Sequence, residues 1–194
     1  MKRIIIHWTG GTYTPNHIDL NAYHFVIDGA GKVHPGSRKP EANLNVSDGD
    51  YAAHTRGTNT GSIGVAIAAM NGAVERPFDA GRFPIRQAQV DATVRLCADL
   101  CETYDISVTP ETVLTHAEVQ DTLGIAQRWK WDITWLPGFS GLQPASVIGN
   151  DLRRQINDAR YAGATRPAGA DRPDAPGLGA VLAAIFNAIF GGKT

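Results

Sequence analysis

Apolar residues in this chain fall into short continuous runs and longer stretches with helical spacing. The first run, Arg3 to His7, is apolar at Ile4, Ile5 and Ile6 without alternation. That is the pattern of a strand whose sheet is covered on both faces, and the polar Thr9-Gly10-Gly11 marks the loop after it. Tyr23 to Asp28 predicts a second strand, Gly29-Ala30-Gly31 a turn and Lys32 to Pro35 a return strand, together a hairpin signal. Within the second strand Tyr23, Phe25 and Ile27 share one face, His24 and Val26 the other. Ser62 to Met70, with Ile63, Val65 and Ile67, predicts a central strand closed by Asn71-Gly72, and Thr112 to Thr115 a further short strand.

Helical spacing is clearest where Val90, Val94, Cys97, Cys101 and Tyr104 recur at intervals of four, three, four and three, with Pro84 fitting a first helical position. Ser146 to Tyr161 predicts another helix, with Ile148, Leu152 and Ile156 on one stripe. Strands interleaved with helices predict an α/β domain, a central mixed β-sheet flanked by helices. Residues 36–61 are polar and irregular, which is long for a structureless connection, and such loops usually bind something. The expected organisation is a domain over residues 1–163, a Pro/Gly/Ala-rich linker over 164–176 and an apolar helical tail over 177–194.

The 194 residues are 43% hydrophobic, enough for a real core, so disorder is not the expectation. Eighteen basic against 19 acidic residues leave a net charge of −1, which supplies no global field toward nucleic acid or an anionic membrane. Function must therefore reside in a specific site. Cys97 and Cys101 lie one helical turn apart on the predicted buried face and read as free thiols, which fits a reducing cytoplasm. The apolar run after Lys2 and Arg3 stops at His7, too short for a signal-peptide core, so synthesis in the cytoplasm without a signal peptide is expected.

Two predicted strands end in a histidine, His7 and His116. A lone histidine at a strand end is more often structural, and no compact motif links these two. Catalytic zinc takes three ligands from histidine, cysteine and carboxylate, so two strand-end histidines and a loop carboxylate could form such a set.

The ordered series Ile4-Ile5-Ile6-His7, Tyr23-His24-Phe25-Val26-Ile27-Asp28-Gly29, His54, Asn59-Thr60-Gly61-Ser62-Ile63-Gly64-Val65, Leu114-Thr115-His116 and Lys130-Trp131-Asp132 resembles the type 2 N-acetylmuramoyl-L-alanine amidases, a group that includes peptidoglycan recognition proteins. The likeness spans roughly residues 3–140. It implies a Zn2+ ion held by His7, His116 and Asp132, with Tyr23 and Lys130 catalytic. It also implies peptidoglycan as partner, with the amide between N-acetylmuramic acid and L-alanine hydrolysed. His54, Arg56 and Asn59 are expected to contact the glycan or the stem peptide, whereas His17, His24 and His34 are expected to be structural or exposed. One departure is the insertion Ile133-Thr134-Trp135-Leu136 before Pro137-Gly138, where many members place Pro-Gly directly after the third ligand. Glu118 reads first as a solvated loop acid and second as a group behind the ligand or a base.

The resemblance suits a phage or prophage endolysin acting on the wall, in the periplasm after release. Its alternatives are a cytoplasmic amidase that recycles muropeptides and a peptidoglycan-binding module without catalysis. The apolar tail, about 20 Å long as a helix, falls short of a membrane core of roughly 30 Å. It is expected to pack on the domain, to form an oligomer contact, or to insert shallowly into a membrane. No oligomeric state follows from the sequence.

Overall fold

The computed structural model describes residues 1–164. Beyond Ala164, the expected linker and apolar tail lie outside the described residues. Five strands form one sheet: β1 (Arg3–Trp8), β2 (Phe25–Ile27), β3 (Val33–Pro35), β4 (Ser62–Ile67) and β5 (Val113–Thr115), in the order β3-β2-β4-β1-β5. β1 pairs in parallel with β4 and β5, β2 in parallel with β4, and β3 closes the edge antiparallel to β2. The expected mixed sheet is therefore present, and its hairpin is the only antiparallel pair of strands among the described residues.

Both faces of β1 are covered, as its unbroken apolar run requires. Ile4 and Ile6 enter the large core with Phe25, Ile27, Ile63, Val65 and Ile67, under α2 (Gln87–Thr103) and α4 (Ala145–Ala164). Ile5 points the other way, into a smaller cluster with Leu114 and Val119. His7 lies two residues beyond Ile5 and shares its face, so the alternation of β1 sends it away from the helical layer. Cys97 and Cys101 are buried in α2 and unpaired.

Several boundaries differ from the sequence expectations. Tyr23 and His24 precede β2, and Tyr23 caps the C-terminus of α1 (His17–Ala22), a helix the strand pattern did not reveal. The signal was present in Asn16 and Asp19: Asn16 Oδ1 accepts the N–H groups of Ile18 and Asp19, and Asn16 N–H donates to Asp19 Oδ2. α2 starts at Gln87 rather than at Pro84, which lies ahead of the helix and accepts the Tyr13 hydroxyl on its carbonyl. β4 stops at Ile67, and Met70 forms only an isolated bridge with Gly11.

The 36–61 segment is anchored rather than loose. Asn43 is wholly buried there, donating to Ala52 O and Asn59 O and accepting from Ala52 N–H. His24 Nδ1 accepts the Gly64 N–H, so its Nε2 carries the proton donated to Asn43 Oδ1. Burial holds this imidazole neutral, lowering its pKa to about 4 against a weaker opposing pull from Asn43 and Glu41. His24 is thus structural, as expected.

Candidate metal centre

The carboxyl ends of parallel strands are where open α/β sheets place their sites. His7 sits one residue from the end of β1, and His116 follows β5 directly, opening a 3-10 turn (His116–Glu118). Adjacent strands thus bring together residues far apart in sequence. Asp132 joins them from the loop beyond α3 (Val119–Leu123), with Asp132 O accepting the Ala117 N–H at 2.6 Å. Trp131 packs edge-on against Trp8 at 4.6 Å, which fixes the backbone next to His7 and Asp132.

Three donor atoms converge. His7 Nδ1, His116 Nδ1 and Asp132 Oδ2 form a triangle with every side 3.1 Å. They are the one group of metal-competent side chains found together among the described residues, and all three are buried. A tetrahedral zinc with bonds of about 2.0 Å would place its ligand atoms roughly 3.3 Å apart, close to this spacing. Hydrogen bonds alone do not explain the triangle, since three contacts among lone-pair atoms would have to share very few protons. The donor set fits a zinc ion.

The electrostatics agree. Burial lowers the His7 pKa to about 4, a shift that His116 and Lys130 assist and Asp132 opposes, so the imidazole is neutral and its lone pair available. Burial works against the charge of Asp132, but the adjoining His116 and His7 imidazoles outweigh it and keep the carboxyl below its ordinary value. A buried carboxylate between two imidazoles is a site that attracts a cation.

The triangle opens into a cleft of about 440 Å³, whose wall includes Tyr23, His54, Arg56, Gln127 and Lys130. Tyr23 lies 5.1 Å from the His7 ring, and burial with the nearby charges of Asp132 and Asp19 raises its pKa, so the phenol keeps its proton. Lys130 is exposed at the cleft. His54 is 8% exposed, stands edge-on to His7 and lies across Gly64, where a Cβ would come within 2.6 Å of its ring. Asn59 does not line the cleft; its Oδ1 accepts the Thr55 N–H and so shapes the turn that carries His54 and Arg56.

Glu118 departs from its first expectation. It is 3% exposed rather than solvated, with both carboxylate oxygens on the Arg153 guanidinium at 2.8 and 3.1 Å. Oε2 also accepts the Thr115 N–H. A carboxylate so engaged, and absent from the cleft wall, is no base for the site. The inserted Ile133 and Leu136 pack into the core, which explains how Asp132 keeps its place despite the longer loop.

The sequence pattern of the N-acetylmuramoyl-L-alanine amidase family (Amidase_2) matches residues 1–138. The chain belongs to this family. The matched segment of this amidase contains all three converging donors, Tyr23 and Lys130, and ends before α4. Among solved structures, the chain is similar to the amidase LysC from Clostridium intestinale URNW, at 15% identity over 80% of this chain and 85% of that one, with a TM-score of 0.48. It is also similar to the amidase AmiD from E. coli, solved with an anhydro-N-acetylmuramic acid peptide, at 23% identity over 60% and 48%, TM-score 0.42. The Ph2119 endolysin of a Thermus scotoductus MAT2119 bacteriophage matches at 17% identity over 62% and 73%, TM-score 0.42. Compared with curated proteins, the chain matches none.

Sequence reasoning overlooked one polar residue of this amidase's site. Gln127 is 6% exposed, and its amide oxygen lies 3.0 Å from His116 Nε2. A glutamine five residues before a carboxylate carries no local signal. Beyond it, Arg128 and Trp129 both adopt positive φ, 53° and 56°, a conformation costing about 1 kcal/mol or more in a non-glycine residue. This reversal returns the chain to the cleft at Lys130.

Proposed function

We propose that this amidase binds one zinc ion through His7 Nδ1, His116 Nδ1 and Asp132 Oδ2 and hydrolyses the amide between N-acetylmuramic acid and L-alanine of peptidoglycan, as a phage-type endolysin. The observation that carries this reading is the 3.1 Å triangle of buried donors, two of which, His116 and Asp132, line an open cleft. Bound there, zinc would supply a Lewis acid and make water at its open position more acidic.

The protein's own groups complete the chemistry. Attack on the amide carbonyl builds negative charge on oxygen, and the Lys130 ammonium at the cleft stabilises it; loss of one such donor typically costs about 3 kcal/mol of barrier. Tyr23 acts as a hydrogen-bond donor from Oη, orienting the carbonyl or the water, and relays to the leaving amine the proton that the attacking water gives up. Its raised pKa argues against a role as base. Asp132 is the sole carboxylate in the cleft wall among the described residues, and its Oδ2 serves as ligand in this reading. Arg56 offers its guanidinium to the glycan or stem peptide from the cleft wall, with His54 and Asn59 holding that turn.

Digestion of purified peptidoglycan, with mass analysis of the products, tests the reading. The expected products are stem peptides with a free L-alanine amine and unshortened glycan strands, with activity lost to a chelator and restored by zinc. Chelator-insensitive cleavage, or cut glycosidic bonds, would refute it. Cleavage confined to soluble muropeptides would refute the endolysin role alone.

A further inference from the structure

We propose that Gln127 selects the tautomer of His116 and thereby sets the affinity of the site for zinc; this rests on the zinc reading above. The argument begins with the Gln127 amide. Its Nε2 donates to Arg56 O at 2.8 Å and approaches Ile125 O at 3.4 Å. Turning the amide over would set its oxygen against two carbonyl oxygens, so the geometry assigns Oε1 to the side facing His116.

An amide oxygen only accepts. The ring nitrogen 3.0 Å away, His116 Nε2, must therefore carry the proton, which leaves Nδ1 with its lone pair bare. Nδ1 is the atom in the triangle with His7 Nδ1 and Asp132 Oδ2. The hydrogen bond thus prepares the imidazole for ligation and makes it a better donor. His7 has no such control: its Nε2 lies 3.3 Å from both His54 Nδ1 and Thr55 Oγ1, partners able to donate or accept. The tautomer of His116 alone is dictated from outside the triangle.

Gln127 is itself held. Its N–H donates to Gln120 Oε1 of α3, and its side chain ties the His116 turn to the carbonyl of Arg56 in the opposite wall of the cleft. It touches no reacting atom and acts through His116, so it is a positioning residue.

The test combines two measurements on the full chain. In metal-free protein labelled with 15N-histidine, NMR reports the His116 tautomer directly; in parallel, competition with a chromophoric chelator reports zinc affinity. Wild type is expected as the Nε2–H form. Gln127→Met, similar in size but with only a weak thioether acceptor, is expected to lose that preference and bind zinc 10- to 100-fold more weakly. Gln127→Glu keeps an acceptor for His116, although its second oxygen meets the Arg56 and Ile125 carbonyls, and is expected to retain the Nε2–H tautomer. A merely structural role would leave the tautomer of any folded variant unmoved. An Nδ1–H tautomer in wild type, an unchanged tautomer in Gln127→Met, or undiminished zinc affinity in that variant would overturn the role of Gln127. Absence of zinc binding by wild type would instead overturn the zinc reading itself.

Discussion

Replacing Arg153 by methionine should strongly destabilise the fold. Arg153 sits in the middle of α4 with its side chain 7% exposed, and the Glu118 side chain it grips is 4% exposed. Its guanidinium also donates to Val113 O at 2.9 Å, the first residue of β5, and to Asn150 Oδ1 at 2.8 Å. α4 approaches this pair closely enough that Gly149 is required, since a Cβ there would lie 2.1 Å from the carboxylate oxygens. Methionine fills most of the volume but leaves Glu118 charged, buried and without its cation.

Breaking such a pair on one side costs about 3–5 kcal/mol, because the orphaned charge keeps its desolvation penalty. Domains are stable by roughly 5–15 kcal/mol, so the variant should lose a large share of its stability and melt on the order of 10 °C lower. Urea unfolding of wild type, Arg153→Met, Glu118→Gln and the double variant forms a cycle that isolates the pair. The double variant should be less destabilised than the two single losses added together, since neither charge is left alone. Glu118→Gln also keeps an oxygen for the Thr115 N–H, the bond that steadies the residue just before His116. A loss below about 1 kcal/mol for Arg153→Met, or strict additivity in the cycle, would refute the reasoning.

Acid should act through His24. Its pKa falls from 6.5 to about 4 in the fold, so the unfolded chain binds the proton more readily; this residue's contribution is complete above about pH 6.5 and lost as pH drops toward 4, with a total of about 3 kcal/mol. His24→Gln, which keeps a donor for Asn43, should show a correspondingly flatter stability profile over that window in urea titrations, and equal slopes would count against the buried neutral imidazole. Removing the hydroxyl in Tyr23→Phe, or the ammonium in Lys130→Met, should lower kcat on purified peptidoglycan by roughly 100-fold or more while chelator competition finds zinc affinity nearly unchanged. Weakened metal binding in either variant would place that residue in the wrong role.

What could be read from the chain alone follows the range of the forces involved. Ile4-Ile5-Ile6 and the helix around Cys97 were legible because burial imposes a period on neighbouring residues, and the period survives in one dimension. The histidines His7 and His116 were legible as strand ends for the same reason, although only β1–β5 pairing turns two strand ends into one site. α1 escaped because six residues are too few to show a period, and its evidence lay in a cap, Asn16 with Asp19, instead. Glu118 was misjudged for a different reason. An acid in a short polar turn is solvated unless a cation is delivered to it, and its cation arrives from α4, 35 residues on. Gln127 belongs to the same class: nothing about a glutamine beside Arg128 announces a partner, because what defines it is the direction of an amide between the Arg56 carbonyl and the His116 ring. Patterned burial therefore predicts the strand ends where His7 and His116 stand, whereas Asp132 is named only through the family resemblance. Single hydrogen bonds between distant segments, such as Gln127 to His116, hold the direction of each ring within the triangle, and those are visible only once the chain has folded.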